Sequence, residues 1–114
     1  MNEYDQTYFE DMLSYGHDAI EFLGDMDAEG LAANKRTRYA LIRAVEIVGE
    51  AANKVSAAGK ADLPDLPWHA IIGMRNTLVH GYRGVNLNLL VQVVRDSLPA
   101  LVMRLEELLR EDPA

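Results

Sequence analysis

Apolar residues recur along this chain at steps of three and four for nearly its whole length, and no stretch alternates in steps of two. Four amphipathic helical segments follow. In the first, over about residues 5–26, Phe9, Met12, Leu13, Gly16, Ile20 and Leu23 keep helical spacing. Tyr8, Tyr15 and Phe22 flank that stripe, and Asp27-Ala28-Glu29-Gly30 ends it. The second starts at Leu31 or Asn34 and reaches Ser56, with Thr37, Leu41, Ala44, Val45, Val48, Ala52 and Val55 on one side. Its small Ala40, Ala44 and Ala51 let another helix come close. Arg43, Glu46, Glu50 and Lys54 line the far side, either as a solvated ion-pair row or with Glu46 or Glu50 orienting a cation of a functional site.

Residues 57–66 read as a loop. Pro67 suits the first position of a third, short helix that stops near His80-Gly81. Asn86 is the expected N-cap of the fourth segment. There Leu87, Val91, Val94, Leu98, Leu101, Leu105 and Leu108 form a heptad seam fit for a partner helix. Pro99 predicts a kink in it, or a break with Ser97 capping a new helix. The expected fold class is all-α, one domain over residues 1–114.

Composition narrows the chemistry. The 114 residues include no cysteine, which excludes disulfides, thiolate catalysis and cysteine-ligated zinc and suits a reducing cytoplasm. No apolar run approaches the roughly 20 residues that span a bilayer, and the start of the chain is acidic and polar, unlike a signal peptide. The net charge of −7 argues against nucleic acid until its distribution is examined. Residues 1–34 hold nine acids and no Lys or Arg, whereas residues 35–114 hold nine acids and eleven bases, a net of +2. Local potential, not the total, decides whether phosphate binds.

The third helix carries the candidate chemistry. Trp68, Ile71, Ile72, Leu78 and Val79 make its apolar stripe, and Arg75 interrupts it. A cation there is costly unless paired, for instance with a carboxylate of the second helix, or unless the stripe opens onto a cleft. A second face holds His69, Gly73, Asn76 and His80. Gly73 leaves a gap where a ligand or another helix can come close, at a cost of about 1 kcal/mol of helix propensity. Arg75 and His80 lie about 140° apart around the helix, so two copies across a two-fold axis converge on one cleft more easily than one copy does alone. These residue types suit cleavage of RNA. Its 2′-hydroxyl attacks its own phosphate, so no metal-activated water is needed. His80 can move the proton, Arg75 can neutralise the phosphorane, Asn76 can orient either, and Arg83 can bind a flanking phosphate. No glycine-rich phosphate loop, zinc motif or nucleophile elbow is present, and His17, His69 and His80 lack metal-site spacing.

Pro67-Trp68, Gly73-Met74-Arg75-Asn76, His80-Gly81-Tyr82 and Gly84-Val85 resemble the HepT-like branch of the HEPN superfamily, whose motif is Arg, four residues, His, one residue, Tyr. Residues 42–52 resemble that family's second helix, and Leu98-Pro99-Ala100-Leu101 its last. Asn86 stands where many relatives have an acid, and both cap helices. The resemblance implies a dimeric four-helix HEPN bundle with a kinked last helix. It implies a metal-independent endoribonuclease without cofactor, catalytic through Arg75, His80 and Asn76, that serves as toxin of a toxin–antitoxin pair. The partner it implies is a minimal nucleotidyltransferase that neutralises the toxin by moving AMP onto Tyr82. Two other readings stay open from the sequence: a non-catalytic nucleotide- or RNA-binding helper subunit of a nucleotidyltransferase, and a dimerisation domain without chemistry.

Overall fold

The computed structural model describes residues 1–80 and 85–111, with side chains for all of these except 75–80 and 111. Every regular element among them is helical. Four long helices build the bundle: α1 (Glu3–Leu23), α3 (Lys35–Lys54), α5 (Trp68–His80) and α7 (Leu98–Glu111). Three one-turn to two-turn helices join them: α2 (Ala28–Ala33), α4 (Ala57–Asp62) and α6 (Leu87–Gln92). A π turn, Val93–Ser97, links α6 to α7. Helix α1 packs on both α3 and α7, and α5 lies along α3.

The starts of these helices are written locally. Asn2, Asp27, Asn34, Ser56 and Asn86 each accept, through the side chain, a backbone N–H three residues on. Each cap satisfies a donor that the first helical turn otherwise leaves unpaired, worth about 1 kcal/mol. Two of them correct the expected boundaries. Asp27-Ala28-Glu29-Gly30 does not merely end α1; Asp27 caps α2, which takes in Leu31, and α1 already stops at Gly24, whose φ is 52°. The expected loop over residues 57–66 contains α4, because Ser56 receives the N–H of Gly59 at 3.0 Å and two alanines follow the cap. Asn86 caps as expected, and of the two expected starts of the second helix Asn34 is the one that caps it.

The core is the set of stripes brought face to face. Phe9, Met12, Leu41, Val48, Val94, Leu98, Leu101 and Leu105 are all essentially inaccessible. Of the fourth segment's seam, Leu87, Val91 and Leu108 are partly buried, and Leu90, which falls outside the seven-residue pattern, is fully buried. The π turn explains the offset. The N–H of Leu98 reaches back five residues to the carbonyl of Val93, which inserts an extra residue in the turn and rotates the face that follows. Pro99 lies just beyond, so the ladder is rearranged where proline removes a donor. The alternative break at Ser97 does not occur: Leu98 stays in the α region, with φ −66° and ψ −36°.

Candidate active site

One end of the bundle is fastened around Asp5. This buried carboxylate, 3% exposed, accepts from the backbone N–H of Ser56 at 2.9 Å and from its hydroxyl. The start of α1 is thereby tied to the turn that ends α3. A Cβ on Gly59 would come within 2.8 Å of Val55 Cγ1 and collide with Asp5 Oδ2, so glycine there permits the approach. Next to this knot α5 begins. The Trp68 indole N–H donates to Leu63 O at 2.9 Å, and its ring lies 6.2 Å from that of Phe9. The Pro67 carbonyl accepts the first helical hydrogen bond, from Ile71 at 3.0 Å, so proline sits one position before its expected place. Arg104 of α7 grips Asp65 in the preceding turn through two nitrogens, at 2.8 and 3.3 Å.

These anchors fix the direction of α5. It starts beside Phe9 of α1 and packs along α3. Thirteen residues at about 1.5 Å each carry it roughly 20 Å from that start. That far end carries the motif. Arg75, Asn76 and His80 all belong to α5, Asn76 and His80 one turn apart and Arg75 about 140° from His80 around the axis. The side chains of these three, the pairing of Arg75, and the expected buried positions Leu78 and Val79 lie outside the described residues, as do Tyr82 and Arg83 entirely. Within the described part of the stripe, Ile71 and Met74 are buried and Trp68 and Ile72 packed against the core; Met74 joins the expected set. His69 is exposed.

The second face of α5 behaves differently from the rest of the fold. Gly16 admits Val102 of α7, whose Cγ2 a Cβ would meet at 3.0 Å. A Cβ on Gly73 would meet nothing within 4 Å. The described packing of this chain therefore gives no steric reason for a glycine at position 73. On α3, Glu46 and Glu50 both approach Arg43, at 3.2 and 3.6 Å, so the row forms ion pairs as the first of its two readings requires. Among the described residues no three His, Asp or Glu are grouped to hold a metal ion, and no helix is long and apolar enough to cross a membrane.

Residues 12–108 match the family described as ribonuclease HepT-like. The chain belongs to the HepT-like ribonuclease family. A protein of Methanocaldococcus jannaschii named a putative RNase is 36% identical over 101 residues, covering 89% of this chain and 93% of that one. A second from the same organism, also named a putative RNase, is 32% identical over 106 residues, 93% of this chain and 91% of its own. A protein of Thermococcus cleftensis named a probable ribonuclease HepT is 33% identical over 103 residues, 90% of this chain and 94% of its own. No solved structure matches. Membership in a ribonuclease family gives the Arg75–His80 stretch of α5 a chemical context that the geometry alone does not supply.

Proposed function

We propose that this HepT-like protein is a metal-independent endoribonuclease that acts as a symmetric dimer and as the toxin of a toxin–antitoxin pair. The observation that carries the reading is the joint presence of the ribonuclease family match and the Arg75, His80 and Tyr82 motif of the sequence. In the proposed reaction the 2′-oxygen bonds to phosphorus as the 5′-oxygen leaves. His80 takes the proton of the 2′-hydroxyl, the general-base role that histidine most often fills. Arg75 neutralises the charge that builds on the phosphorane, and Asn76 orients the phosphate. The leaving oxygen needs a proton in return, and His80 of the partner subunit can supply it. The gap at Gly73 favours approach of a second α5 across the two-fold axis. Arg83 holds a flanking phosphate. The cytoplasm, with its RNA, suits a chain without cysteine.

The antitoxin in this reading is a minimal nucleotidyltransferase. The Tyr82 hydroxyl attacks the α-phosphorus of ATP, pyrophosphate leaves, and AMP stays on the tyrosine. A bulky anion at the mouth of the site then excludes RNA by size and by charge. A phenol, with a reference pKa near 10, is in general a poor base at neutral pH, so a regulatory role suits Tyr82.

Expression of the chain alone tests the reading. Growth arrest that the His80→Ala variant loses supports the toxin; arrest unaltered in that variant, or none from the unchanged chain, opposes it and favours a helper subunit. Co-expression with the nucleotidyltransferase should add multiples of the AMP mass to the intact protein and none to Tyr82→Phe. Light scattering at micromolar concentration should report a dimer.

A further inference from the structure

The nuclease reading leaves unexplained a basic and aromatic patch on the first half of α3. Residues 35–43 hold Lys35, Arg36, Arg38 and Arg43 and no acid, in a chain whose net charge is −7. Among the described residues neither Lys35 nor Arg36 forms an ion pair, although Arg43 and Arg104 both do. Asp27, at the start of the preceding helix α2, is committed to the N–H of Gly30 at 2.8 Å. Tyr39 is 59% exposed, and the Lys35 ammonium and Arg38 guanidinium each lie 5.5 Å from its ring centre. Beside it, Phe22, Arg36, Thr37 and Ala40 line a mainly apolar surface hollow of about 210 Å³. Phe22 is itself 41% exposed, so two large rings face solvent within one patch.

Position gives the patch its meaning. Helix α5, whose last residue is His80, packs along α3, and the patch lies on the first half of that same α3. We infer that the first half of α3 is a track for single-stranded RNA that serves the proposed ribonuclease. Lys35 and Arg36 neutralise successive phosphates, and Tyr39 and the Phe22 hollow offer apolar surface to unpaired bases. Cations interleaved with exposed rings are what sequence-tolerant single-strand binding uses. A duplex, whose bases are already stacked on each other, gains little from the rings. The inference rests on the ribonuclease reading for its choice of RNA.

The test uses the full chain with His80→Ala, so that the probe stays intact, and a labelled single-stranded RNA of about 12 nucleotides. Fluorescence anisotropy between about 50 and 200 mM salt reads affinity and its salt slope. Lys35→Ala with Arg36→Ala should weaken binding roughly tenfold at the lower salt and flatten the slope by about 1.4, or about 0.7 for each lost phosphate contact on a single strand. The charge-keeping pair Lys35→Arg with Arg36→Lys should restore both. Tyr39→Ala should cost roughly fivefold or more with the slope unchanged, and Tyr39→Phe should keep the affinity. An unaltered affinity and slope in the double variant overturns the track. So does a double variant that changes only self-association in light scattering, because the patch is then an interface between copies. Cleavage by the unchanged chain is a separate readout. Should it cut no RNA while the slope flattens as stated, the track stands and the nuclease reading falls.

Discussion

Gly59 and Gly73 are both helical glycines of one small bundle, yet they belong to regions built for different ends. Around Gly59 the chain meets itself: a Cβ would strike Asp5 and Val55, and the buried Asp5 joins the start of α1 to Ser56. Around Gly73 a Cβ would strike nothing within 4 Å. A helical glycine costs about 1 kcal/mol against alanine wherever it stands. At position 59 close packing returns that cost within the chain. At position 73 the described packing returns none of it. The same contrast holds for charge. Arg95 is spent inside the fold, donating to the carbonyls of Gly24 and Met26 at 2.9 and 3.0 Å at the end of α1, whereas Lys35 and Arg36 form no ion pair among the described residues. One region secures the fold; the other, in the proposed function, serves a ligand.

The comparison breaks if substitutions in the two regions act alike. The largest expected effect is on catalysis. His80→Ala should slow RNA cleavage by about 10²–10⁴-fold, as loss of a proton-transfer group does, and Arg75→Ala by a similar factor, while the urea midpoint of each stays close to that of the unchanged chain. Initial rates on a labelled RNA, measured beside urea unfolding, check both halves of that statement. Next comes Gly59→Ala, which overpacks the Asp5 knot and should destabilise by about 1–3 kcal/mol in urea unfolding. Gly73→Ala should do the opposite to the monomer, stabilising it by up to about 1 kcal/mol through helix propensity, while raising the dimer dissociation constant in sedimentation. Equal signs for the two glycines in urea would remove the distinction between the regions.

The smallest effect concerns acid. The hydrogen bond from Arg104 holds the Asp65 carboxyl below the usual carboxylate range. A pKa lower in the folded than in the unfolded chain means that the pair stabilises above the ordinary value of about 3.9 and stops doing so as pH falls through the folded value. Both groups are on the surface, so the contribution is small and screened by salt. Asp65→Asn should therefore lower stability slightly at neutral pH and make no difference in strong acid, as paired melting curves across that range will show.

Helix placement was legible in the sequence because it rests on local signals. Asn86 caps where its side chain predicts, the second helix begins at Asn34, one of its two expected starts, and the stripe through Leu41, Ala44, Val45 and Val48 is buried. What sequence periodicity could not supply was nonlocal or subtle. The partner of Asp5 lies 51 residues away. Leu90 enters the core because a π turn shifts the register, and a seven-residue count does not register the extra residue. The one-turn helices α2 and α4 are too short for an apolar period; only their caps announce them. For the site, Arg75 and His80 stood out as polar residues in an apolar, glycine-containing helix, but periodicity did not say which end of the bundle they occupy. The anchors of Trp68 to Phe9 and Leu63 say that.

The central claim is that the end of α5 cleaves RNA by 2′-hydroxyl attack. The most direct measurement incubates the purified full chain with labelled RNA in excess EDTA and identifies the new ends. The account predicts cuts that carry 2′,3′-cyclic phosphates, formed without added metal and absent with the His80→Ala chain. Cleavage that stops in EDTA and returns with magnesium, or that His80→Ala performs at the same rate, would contradict it.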